Sequence, residues 1–198
     1  MLRIVKSLLT IAAVAAIATG ATGAYFSDAE TSNGNSFISG TLDLNLDGGN
    51  TNVVKFNVSN MKPGNDLIGT WEIKNVGTIP GYVDLKNIAI VNDGGVFTDA
   101  ENDAGDAANA GNLGSLLSLT LFVDNNGNGS PDVGDIAIYT GTPDGIASAY
   151  NQNILLAADA TSHITALVDW SAHAGTLDNT GQGDTMNLNM TFELGQTM

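Results

Sequence analysis

Residues 117–123 read Leu-Ser-Leu-Thr-Leu-Phe-Val, and this stretch decides the fold class. Successive side chains of a β-strand point to opposite faces, so a strand here would place Leu117, Leu119, Leu121 and Val123 on one face. The alternate positions 118 and 120 are polar. The pattern predicts a strand with one apolar face, which is typical of antiparallel sheets that bury one side.

The same two-residue period recurs along the chain beyond residue 40. The further runs are Leu42–Leu46, Val54–Val58, Trp71–Ile73, Val83–Ile90, Ile136–Ile138, Ile164–Val168 and Met186–Leu194. Glycine-, proline- and asparagine-rich turns separate these runs, and no ten-residue helical pattern alternates with them. The sequence therefore predicts an all-β fold, a jelly-roll type antiparallel β-sandwich over residues 40–198. One insertion between strands, a short helix or an ordered loop, is expected, because Thr98–Glu101 has the form of a helix capping box and an alanine-rich segment follows to Ala110.

Composition limits the function classes. The 198 residues contain 6 Lys and Arg against 21 Asp and Glu, a net charge of −15, and no cysteine. The absence of cysteine excludes disulfides, thiolate zinc sites and a catalytic thiol. The negative charge argues against a nucleic-acid partner, because phosphate binding needs a basic face.

The first 24 residues have the layout of a cleaved secretory signal peptide. Arg3 and Lys6 precede an apolar run at residues 8–18, and small residues lead to a cleavage site between Ala24 and Tyr25. The run is short for a membrane-spanning helix, which takes about 20 residues. We therefore expect a secreted protein, extracellular or on the cell surface, that meets the membrane only transiently during secretion. A retained anchor and a pilin-type cut near Lys6 are the alternatives.

The most specific local motif is a twelve-residue loop at positions 124–135. Its oxygen-bearing residues follow the spacing of an EF-hand-type calcium loop, with Gly129 at the sixth position. The expected ligands are Asp124, Asn126, Asn128, the Ser130 carbonyl, Asp132 and Asp135. Only three are carboxylates, so we expect a structural calcium ion bound with a dissociation constant on the order of 10⁻⁴ to 10⁻³ M. The alternative is a hairpin turn rich in Asn, Gly and Asp that binds no metal.

Other chemistry-bearing residues have simpler interpretations. Asp99, Glu101, Asp103 and Asp106 match no ligand template and are interpreted as a solvated acidic face, with weak cation binding as the alternative. No zinc-protease helix motif, nucleophile elbow or phosphate-binding glycine loop is present. His163 and His173 do not have the spacing of zinc ligands.

A series of short motifs resembles one family. In chain order they are Ala24–Asp28, Phe37–Leu44, Val58–Gly64, Trp71–Gly77 and Gln182–Asp184 before the last predicted strand. This series is similar to the TasA/camelysin (CalY) family of secreted biofilm-matrix fibre proteins, which includes archaeal pilus-forming relatives. The resemblance implies a jelly-roll subunit that polymerises outside the cell, with an N-terminal strand of one subunit completing a sheet of the next. It covers the first half and the C-terminal strand best, and residues 92–160 least.

The N-terminal segment 25–39 fits that donor strand. Tyr25, Phe26, Phe37 and Ile38 are apolar anchors around a Ser-, Asn- and Gly-rich stretch. An added strand satisfies the open N–H and C=O groups of a sheet edge. The alternative is that this segment folds back into its own sandwich.

The leading hypothesis is a non-enzymatic structural subunit that polymerises head to tail by donor-strand complementation into matrix fibres or pili. Its partners would be identical subunits in a homopolymer, with matrix or anchoring accessory proteins as further candidates. Two rivals remain open at this point. One is a secreted camelysin-type metallopeptidase that depends on His163 or His173. The other is a monomeric calcium-stabilised surface module that binds ligands at exposed aromatics such as Tyr82, Tyr139 or Tyr150.

Overall fold

The computed structural model describes residues 40–49, 61–106 and 108–196, and within them eight strands form two antiparallel sheets. The first sheet has the order β1-β2-β7-β4-β5. Its strands are β1 (Leu44–Leu46), β2 (Asp66–Asn75), β4 (Ser118–Val123), β5 (Ile136–Gly141) and β7 (Thr161–Asp169). The central strand is β7, which pairs with β2 on one side and β4 on the other.

The second sheet is smaller and has the order β6-β3-β8. Its strands are β3 (Gly81–Asp93), β6 (Tyr150–Leu156) and β8 (Thr185–Gly195). Strand β3 pairs with both neighbours, and its register shifts between Lys86 and Ala89 along the pairing with β8. The chain crosses repeatedly between the sheets, because consecutive strands such as β2, β3 and β4 alternate between them.

The core lies between the apolar faces of the two sheets. Ile73 and Leu121 come from the first sheet, Leu85 comes from the second, and all three are fully buried. The rings of Trp71 on β2 and Phe192 on β8 lie 5.7 Å apart, which links the sheets directly. The predicted all-β antiparallel sandwich is confirmed.

The predicted insertion is a real helix. Helix α1 (Asp99–Ala104) begins with a full capping box, in which the Thr98 hydroxyl accepts from the Glu101 N–H and the Glu101 carboxylate accepts from the Thr98 N–H. It ends at Gly105, five residues before the end of the alanine-rich segment, because Gly105 adopts the left-handed conformation that closes helices. A second turn of helix, α2 (Leu113–Leu116), and two 3₁₀-helices (Pro143–Gly145 and Leu177–Gly181) complete the elements.

Most predicted strands appear where the period-two runs placed them. The run at 117–123 becomes β4, an interior strand flanked by β7 and β5. The sequence did not predict β6, and the predicted strand at 54–58 lies outside the described residues. Among the described residues, no helix is long and apolar enough to cross a membrane.

Candidate functional site

The loop between β4 and β5 holds all six residues of the predicted calcium site. Val123 at the end of β4 pairs with Ile136 at the start of β5, so the two ends of the loop are held together. Asp124 lies at the base of the loop with only 1% of its surface exposed. The residues near the tip, including Asn126 and Asp132, are exposed.

The carboxylate of Asp124 organises the first half of this loop. Its Oδ1 accepts hydrogen bonds from the N–H groups of Gly127 (2.6 Å) and Asn128 (3.2 Å). Its Oδ2 accepts from the Gly129 N–H (2.8 Å) and from the Thr165 hydroxyl on β7 (3.1 Å). Gly129 has a φ of 78°, the left-handed conformation that glycine adopts most easily, which agrees with its predicted role in the turn.

These contacts set the ionisation of Asp124. Burial raises the pKa of Asp124, but hydrogen bonds from Gly129, Thr165, Gly127 and Asn128 lower it, and the net pKa lies below the usual value of 3.8. Hydrogen bonds from backbone N–H groups favour the charged form of a carboxylate. Asp124 is therefore a buried anion that the loop itself stabilises.

The remaining loop residues form two smaller groups. Asp132 Oδ2 accepts from the side-chain amides of Asn126 and Asn128, both at 2.8 Å. Asp135 accepts from the backbone N–H groups of Asn125 (2.9 Å) and Asp132 (3.0 Å). The structure thus brings three predicted ligands, Asn126, Asn128 and Asp132, to one point.

Ser130 is connected to the same group, because its N–H donates to Asn128 Oδ1 at 2.7 Å. Within the described residues, no three His, Asp or Glu side chains converge as a metal-binding group. A cation in this loop would depend on one exposed carboxylate, Asp132, together with amide and carbonyl oxygens. Calcium accepts such neutral oxygen ligands. The calcium assignment stays a prediction.

A second acidic group lies around helix α1, and here one sequence interpretation was wrong. Glu101 was placed on a solvated face, but its side chain is completely buried. The helix packs against the 3₁₀-helix Leu177–Gly181. Asp99 and Asp103 on the same helix are exposed, as expected.

Asp184 lies beside this group, just before β8. Burial raises the pKa of Asp184, and the charges of Glu101 and Asp106 raise it further. Hydrogen bonds from the amides of Asn112 and Leu113 lower it in part, and the net pKa lies above the usual 3.8. The carboxylates of Glu101 and Asp106 therefore lie close enough to repel that of Asp184.

Strand β8 forms an edge of the smaller sheet. It pairs with β3 along most of its length and with no other described strand. Its inward-facing residues pack against the core but remain only partly buried. They are Met186, Leu188, Met190, Phe192 and Leu194.

A comparison with protein-family models finds one family that matches this chain. The model described as camelysin metallo-endopeptidase matches residues 3–198, nearly the whole chain. The chain belongs to the camelysin family. The resemblance to the TasA/camelysin family is thereby confirmed. A search of the curated proteins finds no match to this chain.

The description of the camelysin family names a metal-dependent peptidase, so the two histidines are the first residues to examine. His163 lies on β7, opposite Glu72 of β2. His173 Nδ1 lies 2.8 Å from the Asp178 carboxylate, which also accepts from the Trp170 indole N–H at 2.8 Å. These two environments do not combine into a catalytic metal site within the described residues.

The tyrosines proposed as a binding surface are not exposed. Tyr82, Tyr139 and Tyr150 are each half-buried, so their interpretation as exposed aromatics was wrong. The Tyr139 hydroxyl donates to the Thr142 carbonyl at 2.6 Å, and its ring lies 6.1 Å from that of Tyr150. Both rings serve local packing in this camelysin-family chain.

Several predicted positions lie outside the described residues. They are the signal segment with Ala24 and Tyr25, and the donor-strand anchors Tyr25, Phe26, Phe37 and Ile38. Sequence reasoning also missed a role for Asn109, Asn112 and Asp184. The Gln182–Asp184 motif was the one sequence signal near them, and it carried no indication that Glu101 lies beside it.

Proposed function

We propose that this protein is a secreted structural subunit that polymerises head to tail into extracellular filaments, as matrix fibres or pili. Residues 25–39 of one subunit would add a strand to the smaller sheet of the next. The partners would be identical subunits, and the acidic surface would exclude nucleic acid. Matrix or anchoring proteins remain additional candidates.

The observation that carries this proposal is the edge position of β8, which pairs with β3 and with no other described strand. An unpaired edge exposes a row of N–H and C=O groups, and an added strand satisfies them. The three-stranded sheet faces a five-stranded one, so the smaller sheet covers its partner incompletely. A fourth strand beside β8 would cover the partly buried side chains of Met190 and Phe192.

The predicted donor segment, residues 25–39, has large apolar side chains that could pack beside the β8 edge. Tyr25, Phe26, Phe37 and Ile38 are large and apolar, and burying each is worth roughly 1.5–3 kcal/mol. A strand donated from one subunit to the next makes a heterologous contact that does not close on itself, and such contacts propagate into filaments. Membership of the camelysin family supports this proposal through the fibre-forming relatives it resembles.

The proposal is tested by electron microscopy of the purified protein and of a Phe37→Asp, Ile38→Asp double variant. We expect filaments from the unchanged protein and none from the double variant, whose donor segment cannot bury two charges. Thr31→Asp, in the polar stretch of the same segment, is the matched control and should still form filaments. Filaments from the double variant would contradict the donor assignment.

We further propose that the loop at 124–135 binds a structural calcium ion. The EF-hand-type spacing of the loop supports this assignment, because Asn126, Asn128 and Asp132 lie together and calcium accepts amide oxygens and carbonyls as well as carboxylates. Binding would require both amides, which donate to Asp132 through Nδ2, to turn their oxygens toward the ion. Asp132→Asn should reduce the gain in thermal stability on adding calcium, whereas Asp103→Asn, an exposed acid elsewhere, should not. An equal calcium response in both variants would leave the loop as a turn without metal.

The peptidase alternative follows from the description of the family model. It predicts chelator-sensitive hydrolysis of casein that is lost in His163→Ala or His173→Ala. We propose instead that the protein is not an enzyme, and we expect no hydrolysis above a buffer control. Chelator-sensitive hydrolysis that either substitution abolishes would establish the peptidase.

A further inference from the structure

Glu101 leaves one carboxylate oxygen without a partner in a fully buried position. Its Oε2 accepts from the Thr98 N–H at 2.5 Å and so completes the capping box. Its Oε1 accepts no hydrogen bond from any described residue, although none of the side chain is exposed. A buried carboxylate with an unpaired oxygen is strongly unfavourable unless a cation or a donor meets it.

Two neighbouring residues show the same arrangement. Asn109 donates through Nδ2 to the Gly95 carbonyl at 3.3 Å, and its Oδ1 accepts nothing from the described residues. Asp184 accepts through Oδ2 from the Asn112 N–H at 2.5 Å, and its buried Oδ1 is likewise without a described hydrogen-bond partner. Each residue is held by one atom and leaves one oxygen free. Three such oxygens are all the unpartnered buried side-chain atoms found among the described residues.

Close backbone packing brings Asn109 and Asp184 together, and Asp106, whose N–H donates to the Glu101 carbonyl, connects Glu101 to them through Asn112. A Cβ on Gly94 would collide with the carbonyl oxygen of Asn109, and a Cβ on Gly95 would collide with that of Gly183. The segment at 94–95 therefore lies directly against both Asn109 and the residue before Asp184. Gly95 also has a φ of 57°, so a side chain there would be strained as well as crowded.

Asn112 connects a third carboxylate, that of Asp106, to Asp184. Its backbone N–H donates to Asp184, and its Nδ2 donates to Asp106 Oδ2 at 2.8 Å. Asp106 thus adds negative charge beside Glu101 and Asp184. Neither of the described ion pairs, Lys86–Asp84 and His173–Asp178, brings a positive side chain to this group.

We propose that Glu101 Oε1, Asn109 Oδ1 and Asp184 Oδ1 form part of a calcium site, distinct from the loop at 124–135. The available donors are all oxygen, which suits calcium and disfavours zinc. Two carboxylates supply charge, and the amide oxygen of Asn109 takes the place of a third acid. Backbone carbonyls and water would complete the six to eight oxygens that calcium accepts.

Such an ion would fasten three separate parts of the chain. Glu101 belongs to helix α1, Asn109 to the segment after it, and Asp184 to the turn that leads into β8. A cation bound to all three would hold the insertion against the start of the edge strand. Calcium would then stabilise the folded subunit, because an ion that binds only the folded state raises its stability.

Thermal unfolding of Glu101→Gln gives the sharpest test, because the expected effect changes sign with calcium. Gln keeps an acceptor for the Thr98 N–H but removes the charge. In chelator, Glu101→Gln should unfold at a higher temperature than the unchanged protein, because it removes a buried charge that has no counterion. In calcium, the unchanged protein should gain stability and unfold at the higher temperature of the two. A merely structural role for Glu101 would not produce this reversal.

Asp103→Asn is the matched control, because it removes one exposed negative charge from the same helix. It should respond to calcium as the unchanged protein does. Calorimetric titration with calcium chloride should show one fewer bound ion in Glu101→Gln and no loss in Asp103→Asn. Asp132→Asn separates the two sites, because it should leave the Glu101-dependent ion in place.

Asp184→Asn repeats the comparison with a residue outside the helix, and it serves if Glu101→Gln does not fold. The same reversal is expected, since Asn keeps an acceptor for the Asn112 N–H. Equal calcium stabilisation of the unchanged protein, Glu101→Gln and Asp184→Asn would overturn the proposal. So would an unchanged protein whose unfolding temperature calcium does not alter.

Discussion

At the scale of single residues, Asp124 shows how a loop can stabilise a buried charge through its own backbone N–H groups. Four donors meet its two carboxylate oxygens, and three of them are backbone N–H groups of the loop. Hydrogen bonds to charged groups contribute about 1.5–3 kcal/mol each when their partner is lost. Any stability that calcium gives this loop is therefore added to the stability that the hydrogen bonds of Asp124 already give it.

Replacing Asp124 tests that framework. Asp124→Ala leaves the buried Gly129 N–H and the Thr165 hydroxyl without their acceptor, and should lower the free energy of unfolding by about 2–4 kcal/mol in chelator. Asp124→Asn keeps one acceptor oxygen and should cost less. Chemical denaturation of both variants measures the difference. Equal, small losses would show that the four hydrogen bonds contribute little.

The pH dependence of the same residue has a definite sign. The folded-state pKa of Asp124 lies below its usual 3.8, so its charged form stabilises the fold above that pH. This contribution is lost as the pH falls from about 4 through the lower folded-state pKa. The stability gap between the unchanged protein and Asp124→Asn should therefore narrow on acidification. Denaturation curves from pH 7 to pH 2.5 measure it, and a gap that widens would contradict the assignment.

Asp178 has a comparable role beside Trp170, the residue that follows β7. Burial raises the pKa of Asp178, but hydrogen bonds from His173 and Trp170 outweigh it and the net pKa is lowered. Asp178→Ala would leave the buried Trp170 indole N–H unpaired and should cost about 1–3 kcal/mol. Tryptophan fluorescence during urea unfolding measures this loss. Asp178→Asn retains an acceptor and should cost less.

At the scale of elements, the strands show what the sequence could predict. Period-two runs located β4, β7 and β8 because each strand has one buried face and one polar face. Strand β6 was not predicted, because Asn151, Gln152 and Asn153 interrupt the apolar alternation of its sequence. Asn153 also has a φ of 49°, which is not a strand conformation. Its pairing with β3, a tertiary contact, makes it a strand.

The buried Glu101 shows the limit of local reasoning. The capping box predicted where helix α1 begins, because both hydrogen bonds lie within four residues. Its burial is a tertiary feature, since the helix packs against the 3₁₀-helix at Leu177–Gly181, which is distant in the sequence. The sequence of a helix does not show which of its acidic side chains a distant segment will bury. The loop at 124–135 was easier to predict, since all of its candidate ligands are adjacent in the chain.

The partly buried face of β8 gives a prediction about packing. Phe192→Ala should cost less in the single subunit than Leu121→Ala, because Leu121 is fully buried and Phe192 is not. Large-to-small changes in a filled core cost about 2–5 kcal/mol, and a half-covered site costs less. In filaments the order should change, since a donated strand would then cover Phe192. Urea unfolding of subunits and of filaments measures the stability loss of each variant in both states. If Phe192→Ala still costs less than Leu121→Ala in filaments, a donated strand does not cover Phe192.

At the scale of the whole molecule, the negative net charge of the subunit opposes the filament assembly proposed for the β8 edge. Loss of residues 1–24 would remove Arg3 and Lys6 and change the net charge from −15 to −17. Like charges on adjoining subunits repel, and salt screens this repulsion over about 10 Å at 0.1 M. Assembly of such a subunit is therefore expected to depend on ionic conditions.

Filament formation should accelerate as ionic strength rises. Light scattering in sodium chloride from about 10 mM to 300 mM measures the rate, over the range in which the screening length falls from 30 Å to less than 8 Å. Calcium at matched ionic strength separates screening from specific binding, because only bound calcium would add to the rate. Assembly that slows with salt would contradict a repulsion-limited mechanism.

The central claim is that residues 25–39 of one subunit pair with β8 of another, and cysteine cross-linking tests it most directly because the chain has no cysteine. Ser36→Cys would be combined in turn with Asn187→Cys, Asn189→Cys or Thr191→Cys on the outward face of β8. Disulfides form only when Cα atoms approach within about 4.4–6.8 Å. Oxidation should give a reducible ladder of multimers for at least one pair and none for the single variants. Disulfides confined to monomers would show that the segment folds back on its own sandwich, and free thiols in every pair would contradict the account.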